Sequence, residues 1–266
     1  MALRGAQVLS WVCGGRERLY LSPKALFDGE SAIRGGVPVC FPQFNQRGSL
    51  PKHGFARNLT WTALPAADGV PDGINDAAAE VPRGSIQAAF RLCDSEATRA
   101  LWSQAFEALL TVQLAPGSLQ ITLQVRNTDA LPLRFTGALH TYLAVDDIAA
   151  ARLDGLSGQA GWDALTNQTA PAAAEIRFDG EFDRVHAAAP SPLTLHDGPH
   201  RLRIAQSASL ADTVVWNPGA ALCRRLPDMP ADGFTRMLCV EAAQVMAPVE
   251  VPAGGAWRGW QRLTVL

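Results

Sequence analysis

The run RMLCVEAAQV, residues 236–245, sets one carboxylate, Glu241, inside an otherwise apolar stretch. Read with period two it is a strand on which Glu241 shares a face with Met237, Cys239 and Ala243, while Leu238, Val240 and Ala242 turn the other way. A carboxylate on a strand buried on both faces must be paired or its pKa must rise, because desolvation disfavours the charged form. Such a group is a competent base near neutral pH, and a structural ion pair with an arginine is the alternative that spacing leaves open. A proton partner is available in FTGALHTYLAVDD, where period two puts Thr136, Ala138, His140 and Tyr142 on one polar and aromatic face, suited equally to a site or to solvent. A carboxylate with an imidazole is a general acid/base set.

Basic residues gather elsewhere. LPKHGFARNLTW, residues 50–61, places Lys52, His53 and Arg57 in loop-like sequence, and SAIRGGVPVCFPQF carries Arg34. Loops on a rigid scaffold commonly hold function, although a solvated loop arginine is the usual case. Two arginines beside Lys52 can nonetheless form a local anion site on a chain whose formal net charge is −2.

Other chemistries lack their signatures. His196 and His200 stand four apart, but Asp197, Gly198 and Pro199 between them forbid the helix a metal pair would need, so the two mark a hairpin tip. There is no H-E-x-x-H, G-x-S-x-G, Walker A or Rossmann glycine pattern, so neither a metal nor another cofactor is expected. The charge balance offers no footprint for nucleic acid or an anionic membrane, and no 18-residue apolar run exists. Five cysteines without a C-x-x-C pair fit a reducing compartment, and the start MALRGAQVLSWVCGG reads poorly as a signal peptide. A cytoplasmic monomer acting on a small molecule is the expectation.

The elements that must position these groups read as strands. In ALLTVQLAPGSLQITLQVRNT, Leu110, Val112 and Leu114 share a face, Pro116-Gly117 turns the chain, and Leu119, Ile121, Leu123 and Val125 resume the alternation. PLTLHDGPHRLRIAQS repeats the device around Asp197-Gly198, and TVVWNP and QRLTVL add short strands. SEATRALWSQAFEALL is open between a helix and a strand feeding the hairpin. Ala66 to Ala79 and TNQTAPAAAE, residues 166–175, read as surface loops. Many short strands with 23 glycines, 18 prolines and no βαβ rhythm predict an all-β chain: one large antiparallel β-sandwich domain over residues 1–266.

Several blocks together, IRGGVPVCFPQF…LPKHGFARNLTW, GALHTYLAVDD, EFDRVH, DTVVWNPG and DMPADGFTRMLCVEAA, resemble in that order the glucose-6-phosphate 1-epimerases of the aldose 1-epimerase superfamily. The resemblance spans about residues 30 to 245 and implies a galactose-mutarotase-like supersandwich. It implies that His140 and Glu241 are catalytic, that Arg34, Arg57 and Asp183 bind the sugar phosphate, and that His53 lines the pocket. Two departures stand out: Lys52 where the family commonly has glutamine, and FDRVH, with Phe182 and His186, where it has TDRxY. The implied reaction opens the hemiacetal, with Glu241 taking the C1 hydroxyl proton and His140 giving one to the ring oxygen. Two other classes compete: a non-catalytic carbohydrate-binding sandwich, and a glycoside hydrolase whose carboxylate pair would be Asp183 and Glu241.

Overall fold

The computed structural model describes residues 1–65 and 84–266. Two large sheets dominate the described residues, with Val12–Cys13 and Arg16–Glu17 pairing as a small third sheet, and every ladder between named strands among these residues is antiparallel. The nine-stranded sheet runs, from edge to edge, Glu175–Arg177, Arg152–Asp154, Leu193–Asp197, His200–Gln206, Ala256–Val265, Ser118–Asn127, Phe106–Ala115, Ile86–Cys93 and Thr62–Leu64. The other sheet runs Gln168–Pro171, Ala160–Asp163, Phe182–Ala187, Asp212–Asn217, Met237–Val251, Leu133–Leu139 and Val39–Cys40, and Tyr142–Ala144 also pairs with Met237–Val251.

Period-two alternation explains why these segments stack as a sandwich. Leu119, Ile121, Leu123 and Val125 from one sheet and Val215, Leu238 and Val240 from the other fall in a single buried cluster, so each sheet turns an apolar face to its partner. The predicted hairpin is present, with Ala115 opposite Ser118 and Gly117 at φ 71°, a left-handed turn position that glycine takes without strain. Its outer residues Gln120 and Thr122 are polar but buried.

The segment left open between helix and strand is both. Helix Glu96–Leu101 starts at a capping box in which Ser95 Oγ accepts from the Thr98 N–H and Thr98 Oγ1 accepts from the Ser95 N–H, and strand Phe106–Ala115 follows. The loop expected at residues 166–175 is corrected: Gln168–Pro171 pairs with Ala160–Asp163 as an exposed edge strand, because backbone pairing needs no apolar pattern on a strand that buries neither face. The loop expected from Ala66 to Ala79 lies outside the described residues. His196 precedes the hairpin turn within Leu193–Asp197 and its Nε2 lies 2.8 Å from Asp154 Oδ2, an ion-pair contact across neighbouring strands rather than half of a metal pair.

His186 is a buried polar side chain whose ring finds no partner. It sits opposite Gly161 and Thr213, is 1% exposed, and neither ring nitrogen has a hydrogen-bond partner. A Cβ at Gly161 would come within 2.5 Å of its Nδ1, so the glycine makes the room that the ring occupies. Burial, reinforced by Arg184, lowers its pKa to about 4. Between that value and the ordinary one near 6.5 the unfolded chain binds a proton that the folded chain refuses, so His186 costs stability as pH falls through this window. Urea midpoints measured at pH 7.5 and pH 5 should therefore fall less for His186→Phe than for the wild-type chain.

Candidate active site

The core-facing residues of strand Met237–Val251 leave Met237, Cys239, Glu241 and Ala243 on the opposite face of their sheet. Cross-strand register carries that face sideways. Asp183 lies opposite Trp216 and Trp216 opposite Cys239, while Val214 lies opposite Glu241. On the other side Leu139 pairs with Ala242 and Tyr142 with Cys239. The two residues that lie between on each chain must then face each other, which sets His140 abreast of Glu241. His140 Nε2 stands 3.4 Å from Glu241 Oε1, and Glu241 is 1% exposed.

The ladder is interrupted at this point, and the opposite sheet repairs it. Thr141 and Val240 point back into the sandwich, where Gln261 accepts from the Thr141 hydroxyl and donates from Nε2 to the Val240 carbonyl at 2.9 Å. The His140 ring stacks on Tyr142, with centroids 4.8 Å apart and planes 10° from parallel. Tyr142 accepts from Arg34 at 3.1 Å, and Arg34 Nε donates to Asp228 Oδ2 at 3.1 Å. Trp216, partly open to the cleft, stands edge-on to both rings. Side-chain motion at His140 is thus opposed from behind, beside and below.

One cleft collects the groups singled out from sequence. Arg34, Lys52, His53, Arg57, His140, Asp183 and Glu241 all line it, with Trp216 and Val214 among its other walls, and its open volume including the mouth is about 770 Å³. The rim loop places His53 by an unusual backbone: its φ is 66° and that of Gly54 is 70°, both left-handed. Gly54 is required there, since a Cβ would lie 2.2 Å from the Phe41 carbonyl oxygen. His53 Nδ1 accepts from the Asn45 N–H at 3.2 Å and lies 3.2 Å from Cys40 Sγ, which leaves the ring proton of the neutral tautomer on Nε2. Arg57 donates to the Lys52 carbonyl at 2.9 Å, tying the two basic residues of the loop together.

Electrostatics divides the cleft into a neutral floor and a charged rim. Burial raises the pKa of Glu241 well above the ordinary carboxylate value, with Asp183 adding to the effect, and lowers that of His140 well below the ordinary imidazole value, with His53, Arg57 and Arg34 adding. The 3.4 Å separation has the geometry of an ion pair, yet both shifts favour one proton held on the carboxyl beside a neutral imidazole. His53 is held neutral for the same reason, its pKa lowered to about 2 by burial and then by Arg57, Lys52 and Arg34. Asp183 is half-buried, and desolvation raises its pKa to about 6 despite Lys52. Arg34 is matched by Asp228, so Lys52 and Arg57 are the lining cations that these contacts leave without a carboxylate.

A buried carboxyl and imidazole sharing a proton, under a basic rim and beside an indole face, suit acid/base chemistry on a polyhydroxylated anion. Residues 1–264 match the aldose 1-epimerase family. The chain belongs to that family. A Cenchrus ciliaris protein whose name gives glucose-6-phosphate 1-epimerase as a provisional assignment is 37% identical over 264 residues, covering 97% of this chain and 78% of that protein. A Salmonella typhimurium protein with the same provisional name is 34% identical over 259 residues, covering 93% and 80%. A crystal structure from Salmonella typhimurium, provisionally described as a mutarotase, superposes with a TM-score of 0.85 at 30% identity over 99% of this chain and 85% of that one. The fold is accordingly the galactose-mutarotase-like antiparallel sandwich, as expected.

Tyr142, Cys239, Trp216, Asp228 and Gln261 were not singled out from sequence. Tyr142 and Cys239 stand two residues from His140 and Glu241 and share their faces, a signal that period two carries. Trp216, Asp228 and Gln261 reach the site through pairings and contacts 20 or more residues away in the chain, which no local pattern encodes. Among the described residues no helix is long and apolar enough to cross a membrane.

Proposed function

We propose that this aldose 1-epimerase family member interconverts the α and β anomers of a hexose 6-phosphate, glucose 6-phosphate in the first place. The observation that carries the reading is His140 abreast of Glu241 on the floor of a cleft whose rim holds Lys52 and Arg57. The names of its relatives point to the same substrate.

Ring opening moves two protons and breaks one bond. With the shared proton on His140, the Glu241 carboxylate takes the proton of the C1 hydroxyl and His140 gives one to the ring oxygen as the C1–O5 bond breaks. Rotation about C1–C2 turns the aldehyde, and closure on its other face returns both protons. No proton is gained or lost over the cycle. Burial places the resting proton on Glu241, so transfer across the 3.4 Å gap to His140 precedes opening in the direction written. Cations at the rim oppose charge on His140, and a bound phosphate dianion offsets them.

The remaining residues bind and orient. Lys52 and Arg57 take the phosphate, with Arg34 beside them in the cleft lining, its Nε and Nη1 bonded to Asp228 and to the tyrosine beneath His140 and its remaining donors left for the substrate. Asp183, ionised above about pH 6, accepts from a sugar hydroxyl, His53 donates from Nε2, and Trp216 packs against the C–H face of the ring. One core cluster that draws on both sheets supports reading residues 1–266 as a single domain. All five cysteines are free, which favours a reducing compartment such as the cytoplasm.

Glu241→Gln keeps the shape but removes the proton acceptor, so anomer exchange on glucose 6-phosphate followed by NMR should slow by roughly 10²- to 10⁴-fold, about 2.7 to 5.5 kcal/mol of barrier, with folding retained. A fully active variant would remove Glu241 from the mechanism, whereas sugar binding by the wild-type chain without any anomer exchange would favour a binding sandwich. Arg57→Ala should raise KM for the 6-phosphate far more than for free glucose; equal effects on both would refute a phosphate contact. With free glucose, which lacks the phosphate ionisation near ~6, kcat/KM should fall as pH drops below about 6. Asp183→Asn should lose that limb of the profile, since kcat/KM reports ionisations of the free enzyme.

A further inference from the structure

The proton pair has a third neighbour that the proposed reaction does not use. Cys239 shares the face of Glu241 two residues away, lies opposite Tyr142 and Trp216, and is buried with a free thiol. One ligand atom from each of His140, Cys239 and Glu241 falls within 4.8 Å of the other two. The His140–Glu241 separation of 3.4 Å is long for a charge-assisted hydrogen bond. It is close to the ~3.3 Å that separates two ligands about 2.0 Å from a tetrahedral zinc ion. Glu241 Oε2 and His140 Nδ1, both buried, have no hydrogen-bond partner.

The geometry points to a reversible zinc site formed by His140, Cys239 and Glu241 at the base of the cleft, with the fourth position open to the cavity and occupied by water. Thiolate, imidazole and carboxylate together are a donor set suited to Zn²⁺, and three protein ligands with one open position is the arrangement of zinc sites that admit water to the metal. The sulfur must move toward the other two atoms by at most about 1.2 Å, the difference between 4.8 Å and the ~3.6 Å expected for sulfur and nitrogen on one zinc ion. Entry is direct, because His140 and Glu241 both line the cleft.

Charge also balances. Coordination requires the thiolate and the carboxylate, so Zn²⁺ enters as the thiol and carboxyl protons leave, and the net charge of this buried cluster stays the same. A lone divalent ion on a low-dielectric floor would be costly, whereas this exchange leaves no unpaired charge there. Coordination would occupy both members of the proton pair, so Zn²⁺ should inhibit anomer exchange and compete with the sugar phosphate. That inhibitory consequence rests on the function proposed above, while binding itself does not.

Co²⁺ is the probe for the full-length chain. Titration should produce a thiolate-to-cobalt charge-transfer band in the near ultraviolet that Zn²⁺ abolishes and excess glucose 6-phosphate weakens. Cys239→Ser should lose the band and weaken binding by more than the roughly 10- to 100-fold that even an outer-shell change costs, while Cys40→Ser keeps both. X-ray absorption of the zinc-loaded wild-type chain should give one sulfur in a shell otherwise of nitrogen and oxygen, a readout that does not depend on any variant folding. A band that survives in Cys239→Ser, no band at millimolar Co²⁺, or a zinc shell without sulfur would overturn the site. If the band forms and Zn²⁺ leaves anomer exchange untouched, the inhibitory role falls; if glucose 6-phosphate is not interconverted at all, the proposed function falls and the metal site stands.

Discussion

Everything at the cleft floor depends on the register of one strand. Met237–Val251 joins the two halves of the floor, through Asp212–Asn217 on one side and through Leu133–Leu139 and Tyr142–Ala144 on the other. A slip of one residue would turn Glu241 and Cys239 into the apolar interior and bring Val240 out. The apolar residues on the reverse face resist that slip, because Leu238 and Val240 belong to the core shared with the opposite sheet. The same hydrophobic alternation that closes the sandwich therefore aims the carboxylate, and Gln261 holds the interruption of the ladder beside Glu241 from the other layer.

Burial then sets what the aimed groups can do. A solvent-exposed glutamate and histidine 3.4 Å apart would form an ordinary ion pair, but desolvation pushes the two toward a neutral pair with one proton between them. The charged residues of the cleft are Lys52 and Arg57 on the segment beside it, Asp183 on a neighbouring strand, and Arg34, which is paired with Asp228. A neutral floor under a cationic rim suits a substrate with an anionic tail and an uncharged ring.

Much of this was legible from the chain alone, for reasons specific to each element. Strand period, the Pro116-Gly117 turn and the apolar company of Glu241 are local signals, and each held. His140 was ambiguous because one polar face suits a site or solvent equally, and only the register of a strand a hundred residues away resolves it. The edge strand Gln168–Pro171 was missed because an exposed edge needs no hydrophobic alternation. That Arg34 lines the cleft while bonded to Asp228, almost two hundred residues away, was not legible, because a pairing at that range is invisible to spacing. The recognised blocks of sequence carried the substrate class, which no pattern of periodicity supplies.

Where each kind of residue resides has a further consequence for how the molecule can change over time. Glu241 and His140 sit on or beside sheet ladders tied into the core, whereas Lys52, His53 and Arg57 belong to a short rim loop whose main anchor to the sheet is the contact of Phe41 with Gly54, Phe55 and Ala56. Mutations in that loop can alter the charge and shape of the lip while leaving Glu241 and His140 where they are. On the reading proposed above, descendants of this scaffold could acquire new sugars by drift at the lip while the buried pair on the floor is inherited unaltered.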